Sequence, residues 1–303
     1  MTDNSEFRTG LLHALIAYII WGFMPLFFKQ LAEISPVHVV SHRIVWAVPM
    51  LLVMLALRGR IAEYLAVLKN RKDTMMLLLS SLLIATNWLV YIYAVMSGQI
   101  LAASLGYFLN PLLNVVLGMV FFKERLNRVQ WLAVALAAIG VCILARESLD
   151  GIWISLTLAI SFGAYGMVRK IASVKAVPGL SVETSLLFPI ALGFIIWAGF
   201  NSEAPGLGYS VKTDIFLVLG GAITAIPLLF FASAAKKMPL STLGFIQYIG
   251  PTIQFILGVF LYNEPLAGAQ IICFSLIWLA LMIYSTDAYL ASRRIAINQP
   301  VKT

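Results

Sequence analysis

Apolar stretches of about 18 to 23 residues follow one another along the whole chain, each long enough to cross a hydrocarbon core of roughly 30 Å as a helix. Ten can be delimited, near 11–28, 36–57, 75–95, 100–122, 129–145, 151–168, 182–200, 213–235, 240–262 and 266–286. Unpaired backbone groups cost several kcal/mol each in lipid, so only helices or a closed barrel can span. Continuous apolar runs, without two-residue alternation, select helices. With 61% hydrophobic and 11% charged residues, and a mean hydropathy of +0.94, the composition lies far outside that of soluble domains. An all-α integral membrane protein of ten transmembrane helices is expected.

Lys and Arg placement orients the bundle. With the N-terminus in the cytoplasm, 17 of the 21 Lys and Arg fall on the cytoplasmic side, and only Lys29, Arg146 and Lys212 on the other. Arg43 alone lies within a span. Anionic lipid headgroups account for the net charge of +8 without any nucleic-acid partner. Asp3, Glu6 and Arg8 form no basic leader, and Trp21 to Pro25 offers no small-residue cleavage site, so the first span is expected to stay as an anchor. Cys142 and Cys273 fall within the fifth and tenth spans and are expected to be inert core thiols.

Two halves of the chain repeat each other. Pro111 recurs as Pro251, Gly118 as Gly258, Glu124 as Glu264 and Gln130 as Gln270, all 140 residues on. Helices one and six, and two and seven, align at 141, through Gly10/Gly151, Gly22/Gly163 and Lys29/Lys170. Five spans per copy place the second upside down relative to the first, the pattern of secondary transporters. The expected units are 1–148, 149–287 and a basic tail, 288–303.

Specific segments carry a family resemblance. They include Ala17-Tyr18, Trp21-Gly22, Phe28-Lys29, His42-Arg43 with Trp46, Asn87-Trp88 with Tyr91, Ala103 to Phe108 and Asn110-Pro111. Further along come Glu124-Arg125-Leu126, Gln130-Trp131, Tyr165-Gly166, Arg169-Lys170, Gly244-Phe245, Gln247-Tyr248 and Pro251-Thr252. The chain resembles, over nearly its whole length, the EamA family of the drug/metabolite transporter superfamily. The closer resemblance is to its RarD branch of chloramphenicol-sensitive or chloramphenicol-resistance permeases. This implies a ten-helix permease of the bacterial inner membrane, multi-pass, with both termini cytoplasmic, moving a small metabolite or drug, with export the expected direction.

Polar residues inside the spans mark the candidate site. Tyr107, Asn110 and Asn114 form one stripe on helix four beside Pro111; the repeat puts Gln247, Gly250 and Gln254 at the same places on helix nine beside Pro251, with Tyr248 a further candidate there. Each proline frees the carbonyl four residues back, which in lipid calls for a buried or wet surface. A shared substrate cavity is expected, against the alternative of interhelical amide bonding. Asn87, Trp88 and Tyr91 share helix three; Thr224 and Pro227 answer on helix eight, and Tyr165 with Trp21 would complete an aromatic wall. Pro111, Pro227 and Pro251 are the candidate hinges. Arg43, about 10 Å along helix two, is expected to point inward, toward an anionic group or a gate.

His42, which the repeat pairs with Glu183, is a candidate for ion coupling; Glu183 alternatively serves the first-turn dipole of helix seven. His38 and His42 stand one turn apart without a third ligand, so no metal is expected, and no cofactor either. Glu124 and Glu264 are expected to fix the turns into helices five and ten, and Asn127 with Gln130 to cap helix five. No nucleotide-binding loop, metalloprotease motif or nucleophile motif occurs, so the chain is expected to be neither an enzyme nor a primary pump. A channel-like facilitator is the alternative. Residues 58–74 are expected to hold a short amphipathic surface helix, and Ala133, Ala137 and Gly140 either to mediate a homodimer or to pack within the bundle.

Overall fold

The computed structural model describes residues 4–122, 127–147, 151–201, 206–237 and 246–298. Glu124 lies outside the described residues, as do the side chains of Pro111 and Asn114. The described residues are helical, with no strand among them. In order they are α1 (Asn4–Gly22), α2 (Met24–Lys29), α3 (Pro36–Leu57), α4 (Ile61–Lys69), α5 (Arg71–Met96) and α6 (Ile100–Phe122). Then follow α7 (Arg128–Glu147), α8 (Ile152–Ile171), α9 (Ala176–Asn201), α10 (Val211–Lys237), α11 (Ile249–Ile256), a π turn at Leu257–Leu261, and α12 (Gly268–Asn298). Seven helical segments among the described residues are long and apolar enough to cross a membrane. Three shorter apolar segments, Ile100–Asn110, Arg128–Leu144 and Ile249–Leu261, fall within the other three expected spans.

Local chemistry sets several boundaries. Pro36 opens α3 behind Ser35, whose hydroxyl accepts from the amide of His38. Asn70 accepts from Lys72 and Asp73 to start α5. Pro25 lacks the amide that would bond the carbonyl of Trp21, and the first span breaks at Phe23 into α1 and α2. Gln254 of α11 fills that gap, donating Nε2 to the Trp21 carbonyl at 3.1 Å.

The end of the π turn has a definite use. Asn263, at φ +50°, adopts the left-handed conformation that asparagine tolerates, and the chain then turns Glu264 toward α6. Its carboxylate accepts from the amides of Ile100 at 2.7 Å and Leu101 at 2.8 Å, first-turn donors that lack intrahelical partners. Glu264 therefore caps α6 and does not fix the turn into α12. The expected cap at α7 is present: Asn127 and Gln130 bond reciprocally at 2.9 and 3.2 Å, and Gln270 repeats half of the device on the amide of Ala267.

Helix starts give a register finer than the residues alone. Pro36 and Ala176, Arg71 and Val211, and Arg128 and Gly268 each begin helices 140 residues apart. Pro49 and Pro189 interrupt α3 and α9 at the same spacing. The expected offset of 141 for these two helices is thus corrected to 140, which pairs Arg43 with Glu183 in place of His42. Each is the eighth residue of its helix. Glu183 lies two turns in, so a first-turn dipole role no longer applies.

Packing follows a regular exchange. α1 packs on α10 and α8 on α5; α3 on α10 and α9 on α5; α6 on α8 and α11 on α1. α3, α6 and α7 also pack on α9, α11 and α12 respectively. The small-residue stripe of α7 is covered by α12 of the same chain: Ala133 and Ala137 are buried, and a methyl on Gly140 would stand 3.3 Å from the Cys273 carbonyl. Cys273 is buried there, whereas Cys142 is exposed on the far side of α7, contrary to expectation. The surface helix expected in 58–74 is α4, held on α9 by a 3.1 Å hydrogen bond from Tyr64 to Ser185. α12 continues as helix to Asn298, through the first part of the expected tail.

Candidate functional site

Arg43 is the most unusual buried group. Its side chain leaves α3 toward α10, where Nε donates to Thr224 Oγ1 at 2.7 Å; that hydroxyl in turn donates to the Gly220 carbonyl at 2.7 Å. Gly220 eases this approach, since a methyl there would stand 3.2 Å from Arg43 Cγ and crowd it. Aromatic rings close the other sides. The guanidinium carbon lies 4.6 Å from the ring centre of Trp88 and 5.4 Å from that of Phe28. Cation–π attraction of this kind is worth about 2 kcal/mol when desolvated, whereas removing an ion from water costs several kcal/mol. Nη1 is buried with no hydrogen-bond partner. Among the described residues no carboxylate lies within 4.0 Å of the guanidinium.

Beside this cation runs a network of tyrosine and amide. Asn87 on α5 donates Nδ2 across to α8, to the Leu158 carbonyl and to Ser161 Oγ, both at 3.0 Å, while its Oδ1 accepts from Tyr107 at 3.1 Å. One side chain thus ties α5, α6 and α8. The Tyr91 ring lies tilted to that of Tyr107 at 5.7 Å and edge-to-face with Phe28 at 6.0 Å, and its hydroxyl is buried without a partner. Asn110, one turn beyond Tyr107 on α6, is fully buried with both amide groups unpartnered.

The rings continue to a second buried charge. Tyr107 meets Phe162 at 6.1 Å, Phe162 meets Tyr165 at 6.1 Å, and Tyr165 donates to Glu183 Oε2 at 3.4 Å. Glu183 is 1% exposed; Ser80 of α5 donates to its other oxygen, and Arg169 of α8 lies 3.5 Å away. An unbroken run of aromatic contacts therefore joins Arg43 to Glu183.

The structure gathers Arg43, Asn87, Trp88, Tyr91, Tyr107, Tyr165, Thr224 and Glu183 along this one path. Tyr248 belongs elsewhere, 6.2 Å from Phe108 in the core between α6 and α12. Trp21 faces Tyr18 and Phe231 and makes no wall with Tyr165. Gln247 is half-buried just before the helix is interrupted at Tyr248, and Pro251 stands in the first turn of α11, while Pro227 lies inside α10. Gln254 spends one amide group on Trp21 and keeps its Oε1 unpartnered. His42 is buried with both ring nitrogens unpartnered, while His38 pairs with Ser35 at 2.9 Å. Among the described residues no group of three or more metal-ligating side chains occurs. Phe28, Ser80, Ser161 and Arg169 were not singled out as site residues. Phe28 and Arg169 occupy equivalent positions of the repeat once Lys29 is aligned with Lys170, and that was the available signal.

Packed apolar helices around a polar, aromatic-lined interior define a multi-pass membrane protein. Residues 8–146 match the model of the EamA-like transporter family. An uncharacterized transporter of Pseudomonas aeruginosa is 41% identical over 96% of this chain and 98% of its own length. Protein RarD of Escherichia coli is 39% identical over 96% of this chain and 99% of its own. A relative named chloramphenicol-sensitive protein RarD, also from Pseudomonas aeruginosa, is 29% identical over 92% and 94%. The chain belongs to the EamA-like transporter family, among the transporters named RarD. A solved crystal structure of 17% identity shares the fold, with a TM-score of 0.60 over 90% of this chain and 96% of that one.

Proposed function

We propose that this chain is a secondary-active permease that moves a small metabolite or drug-like molecule across the bacterial inner membrane by alternating access, in the direction of export. Ten helices form two inverted five-helix units, 1–148 and 149–287, with both termini in the cytoplasm. The exchange of helix contacts carries this reading. A shift of one unit turns the pair α1 on α10 into α8 on α5, and α6 on α8 into α11 on α1, while α3, α6 and α7 each pack on their own counterparts. Such pairing is what a twofold axis in the membrane plane requires. The bias of 17 Lys and Arg to three supports the cytoplasmic placement of the N-terminus.

Substrate is held where Arg43, Trp88, Tyr91, Asn87, Tyr107 and Asn110 offer aromatic faces with a few unsatisfied polar atoms, the make-up of small-molecule sites. Arg43 would then lie toward the outer mouth and Glu183 toward the inner one. Tyr165 and Phe162 line the path between them, and Glu183 with His42 are the candidates for ion coupling. The name of one relative places chloramphenicol among the molecules to test. Purified protein in liposomes decides the matter: a carrier shows saturable counterflow, in which internal unlabelled substrate drives uptake of labelled substrate. Flux that never saturates and shows no counterflow would identify a pore.

A further inference from the structure

Arg43 and Glu183 occupy the same position in the two units, the eighth residue of α3 and of α9. Corresponding helices face them, with different residues at the corresponding places. Glu183 faces Ser80 of α5; Arg43 faces Gly220 and Thr224 of α10, and Ser80 and Gly220 are 140 residues apart. From α8, Arg169 comes within 3.5 Å of Glu183. The equivalent place in the first unit, aligned by Lys29 with Lys170, is held by Phe28, whose ring centre is 5.4 Å from the Arg43 guanidinium. Among the described residues, the acid thus has an internal counter-ion and the base has none.

Resting on the transport reading above, we propose that the substrate supplies the missing charge, and that this permease takes small aromatic or otherwise flat molecules bearing a carboxylate or similarly compact anion. Arg43 Nη1 is buried and unpartnered, so an anionic oxygen would gain a charge-assisted hydrogen bond and relieve the isolated charge together. Trp88 and Phe28 flank the guanidinium, and Tyr91 extends that aromatic surface with a free hydroxyl, which suits a planar body attached to the anion. A cationic substrate would meet like charge, and a neutral one would leave the guanidinium uncompensated. Substrate arrival would also set the first unit in the same state of charge as the second, with each buried ion paired.

The test is binding to the detergent-solubilised full chain, followed by thermal stability and by quenching of tryptophan emission, to which Trp88 contributes. Phenylacetate, indole-3-acetate and phenylalanine are compared with phenylacetamide, phenethylamine and phenylalaninamide. Carboxylates should bind at least tenfold more tightly than their amides or amines. Arg43→Gln should erase that preference, Arg43→Lys should retain part of it, and Phe28→Glu should abolish carboxylate binding by filling the vacant counter-ion position from within. Amides or amines that bind as well as carboxylates overturn the proposal. So does undiminished carboxylate binding in Arg43→Gln or Phe28→Glu, or a complete absence of carboxylate binding by the unmodified chain. Counterflow with the same molecules separates the two ideas. Carboxylates that bind without exchanging refute carriage alone, whereas saturable exchange of neutral molecules only refutes the anionic class alone.

Discussion

Replacing Arg169 should destabilise this protein more than replacing its partner, although the two share one ion pair. Glu183 is 1% exposed and Arg169 15%, and they stand 3.5 Å apart. At an effective dielectric constant near 20, unit charges at that distance attract by about 5 kcal/mol. In Arg169→Gln the carboxylate stays buried with only the hydroxyls of Ser80 and Tyr165 to hold it. Stranding one partner of a buried pair costs about 3–5 kcal/mol, and these two donors place the loss near the lower end, about 3 kcal/mol. Glu183→Gln leaves behind the less buried partner, at 15% exposure, with an amide oxygen still within its reach, for a smaller cost of about 1–2 kcal/mol. The double variant should return to within about 1 kcal/mol of wild type, a non-additivity of about 3–4 kcal/mol. Equilibrium unfolding of the four proteins in mixed micelles measures all of these terms. Equal single losses that sum in the double variant would refute the picture of a buried carboxylate held chiefly by Arg169.

Three further outcomes follow from the packing. Gly179→Ala should weaken the same ion pair without touching either charge, because the added methyl would run into the Arg169 guanidinium; combined with Arg169→Gln it should cost less than it does alone. Gly140→Val should lower stability by about 1–3 kcal/mol, since α7 meets the Cys273 backbone there with no room for a branched side chain. Glu264→Ala should cost about 1–2 kcal/mol by uncapping α6. Burial pushes the Glu264 carboxyl above its ordinary value of 4.5, so protonation favours the folded state. This proton-linked part of the stability is full below 4.5 and is lost as pH rises through the raised value, while the capping bonds from Ile100 and Leu101 persist; a pH series of melting temperatures should lose the slope in Glu264→Ala and show the uncapping cost throughout.

Helices were legible in the sequence because lipid leaves so few alternatives. The expected span 36–57 coincides with α3, and 100–122 with α6, since apolar run length alone sets such limits. Breaks and partners were not legible to the same degree. Nothing near Asn87 announces that its amide crosses to Leu158 and Ser161, because those acceptors lie on another helix and one is a backbone carbonyl. Glu264 looked like a local turn residue because its targets, Ile100 and Leu101, are more than 160 positions away and offer amides common to every residue type. Arg43, by contrast, could be picked out at once, as the single Lys or Arg inside a span. Its lack of an opposing charge could not, because that depends on which residue faces it in space.

The second buried ion makes that lack interpretable. Cation–π contacts with Trp88 and Phe28 offset only part of the cost of burying an arginine, about 2 kcal/mol when desolvated against the several kcal/mol that leaving water costs. Glu183 provides an internal control: it is the eighth residue of α9 as Arg43 is of α3, and this buried charge has an ionic partner in Arg169 and hydroxyl donors besides. The scaffold can therefore furnish a counter-ion at this place and does so once. Where it places Phe28 instead, the interior stays one charge short until something from outside arrives. On the proposed reading, occupancy is coupled to electrostatics: the isolated guanidinium favours any arrangement that admits an anion, and the paired ion at the other mouth favours staying shut. Transport by Arg169→Gln should show this directly. With the inner pair broken, substrate leakage without counterflow should rise, and an unchanged leak would mean that the Glu183–Arg169 contact holds helices together without serving as a closure.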